Sequence, residues 1–483
     1  MLLRKMMFSI VCVLASLALV SGAIESHKVT KLPGFVGDLP STHYSGYIPT
    51  GTLSGVKGNL HYWLIESTNN PSTDPIVLWL NGGPGSSSLI GLLTENGQIV
   101  TNDDSLTNEV DGVPQVFPNP YAWTTMANML YLESPKGVGF SYCEGATKSS
   151  DCVNTDESTA QDAYEFLTNF FNAYPEYKSN KFYITGESYA GIYIPMLIQQ
   201  IDADPMGAKM NFVGAAIGNG CWGNTVGTCA FSSAEAQQIS ADFYFGHGMY
   251  SQDLRKKIVE ACGDFSSLNP ACVKTLSEME TQIGNFDVYN IYDECGHDDR
   301  RRATAKLDMS ALRATLSEKT VTVDTADSFK VSAGYTQALN DYTCGAETAM
   351  DAWLAEPSVV EALHVTAGTA GMKYDKTATD LLPLYSELIN KHQILIYSGD
   401  TDGCVPYVGT EAWTRGLNFT VTNDWHQWLA QPDTEHALHK AGYAVTFDKF
   451  QFITINGAGH MVPQFQPGFA QTMFKKFLAN EIF

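Results

Sequence analysis

The feature that most constrains the fold of this chain is the pentapeptide Gly186-Glu187-Ser188-Tyr189-Ala190, because of what flanks it. The apolar run 182–184 precedes it, and an amphipathic segment, 189–198, follows it. A strand, a tight turn and a helix in this order are the setting of a nucleophile elbow, in which small residues beside the serine let its Oγ point out of the turn. The sequence therefore predicts that Ser188 lies at a strand-to-helix turn, with Ala190 in place of the usual second glycine.

Apolar runs separated by turn residues predict eight strands. Several runs are continuously apolar, which is typical of strands buried on both faces of a parallel sheet. Helical periodicity lies between them: residues 158–174 place five apolar side chains, from Ala163 to Phe171, on one face and stop before Pro175. This alternation predicts an α/β fold with a doubly wound, mostly parallel central sheet. The predicted strands are 44–48, 60–66, 76–80, 129–133, 182–185, 212–217, 394–397 and 452–455.

The segment 221–344 breaks this rhythm, because it lacks clear buried strands and carries charged helical stretches such as 253–260. We interpret it as a helical cap inserted into a core made of residues 24–220 and 345–483. Within the cap, the run Asp298-Asp299-Arg300-Arg301-Arg302 is highly charged. Two interpretations of this run stay open, a solvated loop and a processing site that yields a two-chain enzyme.

Residues 1–23 have the pattern of a secretory signal peptide. Arg4 and Lys5 form a basic start, residues 8–20 an apolar stretch, and Ser21-Gly22-Ala23 a small-residue cleavage site. An apolar stretch of 13 residues is too short to span a bilayer, which disfavours the alternative of a membrane anchor. The sequence thus predicts entry into the secretory pathway and no membrane partner after signal removal. The lysosome or vacuole and the extracellular space are both open as destinations.

The chain is acidic, with 29 basic and 52 acidic side chains, a net charge of −23 and a pI of about 4.7. This charge argues against nucleic acid and anionic membranes as partners. It fits an acidic compartment, and it equally fits a generic solubilising surface.

A secretory destination favours disulfides. Nine cysteines remain after Cys12 leaves with the signal peptide, so at least one thiol stays unpaired, and Cys404 is the candidate. No cysteine or histidine spacing indicates a zinc site, and the single N-glycosylation sequon begins at Asn418. The cysteine pairs close enough in sequence to staple loops are Cys143/Cys152, Cys221/Cys229 and Cys262/Cys272.

A serine nucleophile needs a base to take its proton, and His460 is the best candidate among the 11 histidines. It lies in a glycine-rich loop just after the predicted strand 452–455. Two acids, Asp400 and Asp402, follow the predicted strand 394–397, and either could orient the imidazole. Strand geometry alone does not choose between them.

Five motifs, in order, resemble those of the serine carboxypeptidases, a family of the α/β-hydrolase superfamily in which the triad runs Ser, Asp, His along the chain. The resemblance implies the α/β-hydrolase fold, selects Asp402 as the acid of the catalytic triad with Ser188 and His460, and assigns the oxyanion hole to the backbone N–H groups of Gly83 and Tyr189. The motifs are WLNGGPGSS at 79–87, LESP at 132–135 with GVGFSY at 137–142, GESYAG at 186–191, GDTD at 399–402 and GAGHMVP at 457–463.

The same resemblance implies a clamp for the substrate's C-terminal carboxylate. Asn81 and a protonated Glu187 would bind the carboxylate, and Glu95 would share a proton with Glu187, because two close carboxyls do not both ionise cheaply. Peptidase activity should then be favoured at acidic pH. The resemblance also places Trp79 beside the bound carboxylate and Met461 near the leaving-group pocket.

At one position the chain departs from the family. Ser86 stands where the family usually has a cysteine that is bridged to a cysteine near the end of the cap. Cys344 looks like the orphaned partner, so the resemblance implies a different pairing here, for example Cys295 with Cys344.

The sequence thus predicts a serine carboxypeptidase that releases C-terminal amino acids from peptides and proteins through an acyl-enzyme intermediate. Peptide or protein C-termini are its predicted partners, neither a metal nor an organic cofactor is required, and a homodimer is left open because the family includes dimers. One alternative is an acyltransferase on the same scaffold, which the intact Glu187 disfavours. The other is a binding or protective protein that keeps the fold.

Overall fold

A 12-stranded sheet organises the part of the chain that the computed structural model describes, which comprises residues 23–205, 207, 210–292, 319–323, 346–431 and 437–483. The strand order is β1-β2-β3-β9-β4-β12-β13-β16-β19-β18-β17, with β10 paired to β3. All neighbours from β9 to β19 are parallel, and the outer pairs are antiparallel. The strands of this sheet are β1 (Lys28–Val29), β2 (His43–Thr50), β3 (Gly58–Ile65), β4 (Ile76–Leu80), β9 (Asn128–Leu132), β10 (Tyr142–Cys143), β12 (Phe182–Glu187), β13 (Phe212–Gly218), β16 (Gln393–Gly399), β17 (Val421–Ala430), β18 (His439–Phe447) and β19 (Gln451–Ile455).

Three small sheets complete the strands. One has three strands in the order β11-β15-β14, and the others are two-stranded. Their members are β5 (Ile99–Val100) with β8 (Phe117–Pro118), β6 (Glu109–Val110) with β7 (Val113–Pro114), and β11 (Val153–Thr155), β14 (Thr320–Val323) and β15 (Met372–Asp375).

The central strands are apolar throughout because both of their faces are covered. Every residue of β4 is buried. Alternate side chains of a strand point to opposite faces, and those of β4 divide accordingly between two apolar clusters: Leu78 belongs to one, and Val77 and Trp79 belong to the other. Sheet burial on both faces explains the continuous apolar runs seen in the sequence.

Helices supply the two covering layers. Phe166 of α1 and Ile194 of α2 belong to the cluster on one face of the sheet, whereas Met350 of α6 and Phe474 of α11 belong to the cluster on the other. The doubly wound, mostly parallel α/β architecture is therefore confirmed. The helices are α1 (Asp156–Ala173), α2 (Ala190–Ala203), α3 (Ala234–Gly246), α4 (Gln252–Cys262), α5 (Pro270–Ile283), α6 (Ala346–Leu354), α7 (Pro357–Ala362), α8 (Leu382–Ile389), α9 (Tyr407–Gly416), α10 (Val462–Phe465) and α11 (Pro467–Leu478).

Each of the eight predicted strands corresponds to a strand of the central sheet, with ends that differ by no more than two residues. The helix predicted at 158–174 begins two residues earlier, because Thr155 and Ser158 form a capping box around the first turn of α1. The hairpin of β17 and β18 was not predicted. In β17 most side chains are exposed at the edge of the sheet, so its sequence lacks the apolar run by which the other strands were found.

Helices α3, α4 and α5 pack around an apolar cluster of their own, which includes Phe243, Leu254 and Met279. Strand β14 also lies within the segment interpreted as a cap, and it pairs with β15; this strand was not predicted. The boundaries at 221 and 344 stay a prediction. The charged run at 298–302, the cysteines Cys295 and Cys344, and residues 1–22 of the predicted signal peptide lie outside the described residues.

Three disulfides join the pairs that the sequence had suggested, Cys143–Cys152, Cys221–Cys229 and Cys262–Cys272. Cys404 has a free, buried thiol, as predicted. None of the helices in the described part of the chain combines the length and the apolar character that are needed to cross a bilayer.

Two helical glycines allow a test of the packing that supports Ser188. A Cβ on Gly191, in the first turn of α2, would overlap the backbone oxygen of Cys221, whereas a Cβ on Gly246 at the end of α3 would meet nothing within 4 Å. We expect Gly191→Ala to lower the free energy of unfolding by roughly 1–3 kcal/mol through overpacking. Gly246→Ala should raise it by up to about 1 kcal/mol, because alanine favours the helix. Urea unfolding measures both, and equal effects would contradict the packing argument.

Candidate active site

Ser188 occupies the turn between β12 and α2. Its φ of 62° is left-handed, an uncommon conformation for a residue with a side chain and one that functional sites often hold. The Ser188 N–H donates to the Gly218 carbonyl at 3.0 Å, which ties the turn to the neighbouring strand. A Cβ on Gly186 would overlap the Leu80 carbonyl, so the strand before the turn needs glycine to approach β4 closely. Ser188 therefore lies in the strand–turn–helix setting that its sequence predicts.

Asp402 and His460 lie in direct contact beyond the ends of β16 and β19. His460 Nδ1 is 2.7 Å from Asp402 Oδ2. Asp402 is fully buried, and it also accepts hydrogen bonds from the N–H groups of Cys404 and Val405 at 2.7 and 3.2 Å. These donors hold the carboxyl group in place, and the carboxylate in turn favours a proton on His460 Nδ1.

His460 and Ser188 line the same cavity, whose volume is about 60 Å³. With a proton on Nδ1, the other ring nitrogen, Nε2, keeps its lone pair. That nitrogen is buried and has no hydrogen-bond partner in the described part of the chain. His460 is thus equipped to accept a proton within the cavity that Ser188 lines.

The glycine-rich loop after β4 packs directly against the turn at Ser188. A Cβ on Gly82 would overlap the Tyr189 backbone nitrogen, and Gly83 has a φ of 104°, which favours glycine. Gly83 and Tyr189 both line the cavity with Ser188. The loop and the start of α2 can therefore offer backbone N–H groups to one oxygen atom.

Asn81 connects the two acids predicted to form the clamp. Its Nδ2 donates to Glu187 Oε1 at 3.0 Å and to Glu95 Oε1 at 3.2 Å. Its Oδ1 accepts from Trp79 Nε1 at 2.7 Å and from the Gly91 N–H at 3.0 Å. Because two donors bind Oδ1, the orientation of the amide is fixed, and Nδ2 must face the acids.

Burial raises the pKa of both acids. The pKa of Glu187 lies well above its usual value, first because of burial and then because of the negative charge of Glu95. Burial raises the pKa of Glu95 from 4.5 to about 7. The two carboxyl groups also hydrogen-bond to each other, which requires a proton on one of them. The pair therefore keeps a proton near neutral pH.

The residues predicted to bind the substrate's C-terminal residue do not all line the same cavity. Asn81, Glu187 and Met461 line the cavity with Ser188, whereas Glu95 lines a neighbouring cavity of about 150 Å³ together with Thr94 and Gln464. Trp79 is fully buried, and its indole N–H is committed to Asn81. Trp79 thus acts on the cavity through the amide that it orients.

Asp400, which the family resemblance did not select for the triad, holds the loop that precedes His460. Its Oδ1 accepts from the Gly457 N–H at 2.6 Å, which ties the end of β16 to the loop that precedes His460. Burial raises the pKa of Asp400 from 3.8 to about 6.

Two residues that support the site were not predicted from the sequence. Asn219 is fully buried just after β13, and its Nδ2 donates to Asp402 Oδ2 at 2.7 Å. The sequence feature that could have identified Asn219 is the run Gly218-Asn219-Gly220 at the end of an apolar strand. The Tyr289 backbone carbonyl accepts the His460 backbone N–H at 2.7 Å, and the Tyr289 ring lies 5.1 Å from the imidazole. Nothing in the sequence around Tyr289 marks it. Away from the cavity, Asn418 of the sequon is exposed after α9.

The geometry agrees with comparisons against known proteins. A family model described as serine carboxypeptidase matches residues 33–480. Serine carboxypeptidase-like 20 of Arabidopsis thaliana is 34% identical over 94% of this chain and 93% of its own length. The lysosomal protective protein of Mus musculus is 33% identical over 95% of each chain. A prohormone-processing carboxypeptidase of Saccharomyces cerevisiae has the same fold, with a TM-score of 0.68 at 19% identity over 95% of this chain and 96% of its own.

The raised pKa of Asp400 predicts how stability depends on pH. A carboxyl whose pKa is higher in the folded state stabilises the fold while it is protonated, and this contribution is lost as the pH rises through the folded pKa. A rise from 3.8 to about 6 corresponds to a loss of roughly 3 kcal/mol spread between these two pH values, of which roughly 1 kcal/mol falls above pH 5. We expect the wild type to be more stable near pH 5 than near pH 8, and Asp400→Asn to reduce this difference, because the amide keeps the acceptor for Gly457 without ionising.

Thermal unfolding at pH 5 and pH 8 measures this difference. Asp253→Asn is a suitable control, because the side chain of Asp253 is 90% exposed. The argument is wrong if Asp400→Asn and Asp253→Asn change the pH dependence equally.

Proposed function

Because the chain belongs to the serine carboxypeptidase family, we propose that Ser188, His460 and Asp402 are its catalytic triad. The protein is a peptide hydrolase that releases C-terminal amino acids through an acyl-enzyme intermediate. The observation that carries the assignment of the triad is the 2.7 Å contact between Asp402 and His460 in a cavity that Ser188 also lines.

In the first half of the reaction, Ser188 Oγ attacks the carbonyl carbon of the last peptide bond while His460 Nε2 takes its proton. The imidazolium then protonates the leaving amine, the C–N bond breaks, and the acyl group stays on Ser188. In the second half, His460 Nε2 takes a proton from water, and the water oxygen attacks the ester carbonyl. The imidazolium then returns the proton to Ser188 Oγ as the ester bond breaks and the acid product leaves. Asp402 orients the imidazole and stabilises its charged form.

The N–H groups of Gly83 and Tyr189 bind the oxyanion that forms in both halves. Their positions are supported by the close packing of the glycine-rich loop on the turn at Ser188. Because both donors belong to the backbone, removing either requires a change in loop geometry; loss of one such donor lowers kcat by ~10²–10³ in other enzymes.

The cluster of Asn81, Glu187 and Glu95 binds the C-terminal carboxylate of the substrate. Asn81 Nδ2 and a protonated Glu187 both offer hydrogen bonds to this carboxylate, and Glu95 holds Glu187 in its protonated form. When Glu95 loses its proton, the pair gains a negative charge beside the bound carboxylate and repels it. Met461 and the oriented amide of Asn81 adjoin the leaving residue.

Several features support the proposed secretory route and the proposed domain organisation. An N-terminal pattern of a signal peptide, three disulfides and the exposed sequon at Asn418 support passage through the secretory pathway. Both the lysosome or vacuole and the extracellular space are compatible with this route, and a clamp that needs a proton favours the acidic lysosome or vacuole. The apolar cluster of α3–α5 supports a cap at 221–344, and Tyr289 of that segment supports His460. A homodimer remains open.

Two aspartates in one loop provide a matched test of the triad. Asp402→Asn should lower kcat by ~10⁴, because the amide favours the wrong tautomer of His460. Asp400→Asn keeps the loop contact and should change kcat by less than about threefold at pH 5, since an amide resembles the protonated acid.

The assay is release of the C-terminal residue from a blocked dipeptide, with Ser188→Ala as the inactive reference. Equal losses in the two aspartate variants would remove the reason for assigning Asp402 to the triad.

The clamp predicts a pH dependence that differs between substrates. For a blocked dipeptide with a free C-terminal carboxylate, kcat/KM should fall as the pH rises through about 7, where Glu95 loses its proton. The fall should approach tenfold per pH unit for loss of a single proton. The amidated form of the same dipeptide lacks the carboxylate, so the ratio of the two kcat/KM values isolates the clamp from the titration of the triad.

Glu95→Gln is the matched variant, because an amide at position 95 cannot ionise, and Glu187, whose pKa lies well above its usual value, keeps its proton over this range. In this variant the ratio should be nearly flat between pH 5 and pH 8. A ratio that is already flat in the wild type would exclude a proton-dependent clamp.

A further inference from the structure

Another buried acid, Glu133, contacts Ser87 of the glycine-rich loop and belongs to neither the triad nor the clamp. It follows β9 in the motif 132–135, and it is fully buried. Its Oε2 is 2.8 Å from His61 Nδ1 and accepts from the Phe140 N–H at 2.8 Å. Its Oε1 accepts from the hydroxyl of Ser87. Each oxygen of this carboxyl therefore has a partner in the interior.

Ser45, His61 and Glu133 resemble a catalytic triad, but the placement of their protons excludes that role. Ser45 Oγ donates its only proton to the Leu363 carbonyl at 2.7 Å, so it must accept from His61 Nε2, which lies 2.9 Å away. His61 Nε2 consequently carries a proton and cannot act as a base. None of the three residues lines the cavity of Ser188. The group is a structural one, and its link to the reaction runs through Ser87.

Ser87 anchors the far end of the glycine-rich loop. The loop starts at the end of β4 and carries Asn81 and Gly83. Ser87 Oγ donates to Glu133 and accepts from the Leu89 N–H at 3.1 Å, while the neighbouring Ser88 hydroxyl accepts the Asn81 N–H at 3.2 Å. Strand β4 thus fixes one end of the loop, and Glu133 fixes the other.

The chain around Glu133 accommodates its carboxyl group closely. Gly139 has a φ of 53°, and a Cβ there would overlap Glu133 Oε1. Ser141 Oγ donates to the Glu133 carbonyl at 2.6 Å. These contacts account for glycine and serine in the segment 137–142, which contributes no residue to the cavity of Ser188.

We propose that Glu133 is a positioning residue for peptide hydrolysis: by accepting the Ser87 hydroxyl, it holds the loop that supplies the Gly83 N–H and the Asn81 amide. This inference rests on the proposed triad and clamp. Glu133 does not touch the substrate. Its effect on the reaction depends on the loop, so loss of the Ser87 contact should affect oxyanion binding and carboxylate binding together.

The direct test is Ser87→Ala, with Ser141→Ala as the matched control. Both changes remove a buried hydroxyl that contacts Glu133, but only Ser87 lies in the glycine-rich loop. We expect Ser87→Ala to lower kcat by about 10- to 100-fold, somewhat less than complete loss of an oxyanion donor. It should also raise KM for a dipeptide with a free carboxylate. For an ester substrate without that carboxylate, only kcat should fall.

Ser141→Ala should leave kcat within about twofold of the wild type while losing a comparable amount of thermal stability, since each variant removes a hydroxyl that makes two buried hydrogen bonds. Ser87→Cys keeps a weak donor of similar size, and it should recover part of the kcat that Ser87→Ala loses. Recovery of kcat without a matching change in melting temperature separates positioning from general stabilisation.

The proposal is overturned if kcat of Ser87→Ala lies within twofold of that of Ser141→Ala on both substrates. It is also overturned if only KM for the dipeptide changes, because the oxyanion hole would then be independent of Glu133. If the wild type itself releases no C-terminal residue, the proposed function fails, and the outcome is distinct from both of these.

Discussion

The arrangement of the site depends on the parallel register of five central strands. In parallel strands the carboxyl ends lie at one edge of the sheet, so the residues that follow them are brought together however far apart they lie in sequence. Asn81 follows β4, Ser188 follows β12, Asn219 follows β13, Asp402 follows β16 and His460 follows β19. The sheet therefore sets the positions of the three residues of the proposed triad before any loop contact is made, and the loops supply the final orientation.

That edge is largely buried, and each carboxyl group there is accommodated differently. Asp402 accepts hydrogen bonds from two backbone N–H groups and from Asn219 and His460, which suits a charged form. Burial and the neighbouring charge of Glu95 raise the pKa of Glu187 against the opposing effect of the hydrogen bond from Asn81, so Glu187 retains a proton. Glu133 accepts hydrogen bonds on both oxygens, from Ser87 and from the Phe140 N–H, and it also contacts His61 Nδ1. The proposed roles of these carboxyl groups, orienting the base, binding the substrate and anchoring the loop, thus follow from their different partners.

Burial also decides how much of this could be predicted from the sequence. Strand β4 is covered on both faces and is recognisable as five apolar residues, whereas β17 is exposed at the sheet edge and was missed. Asp400 and Asp402 follow the same strand, and only the fold of the loop determines that one contacts Gly457 and the other His460. Such contacts join residues distant in sequence, so no local pattern specifies them; the assignment of Asp402, like that of Glu95, came from the family resemblance.

With the proposed clamp and triad, the release of single residues from a C-terminus follows from the covalent link between Glu187 and Ser188. These residues are adjacent in sequence, and adjacent Cα atoms are 3.8 Å apart. Asn81 and Gly83 are two residues apart on the facing loop, which β4 and Ser87 hold at its two ends. The site for the carboxylate and the site for the reacting carbonyl are therefore separated by a short, fixed distance. A substrate that fills both has room for only one residue between its carboxylate and the bond that Ser188 attacks.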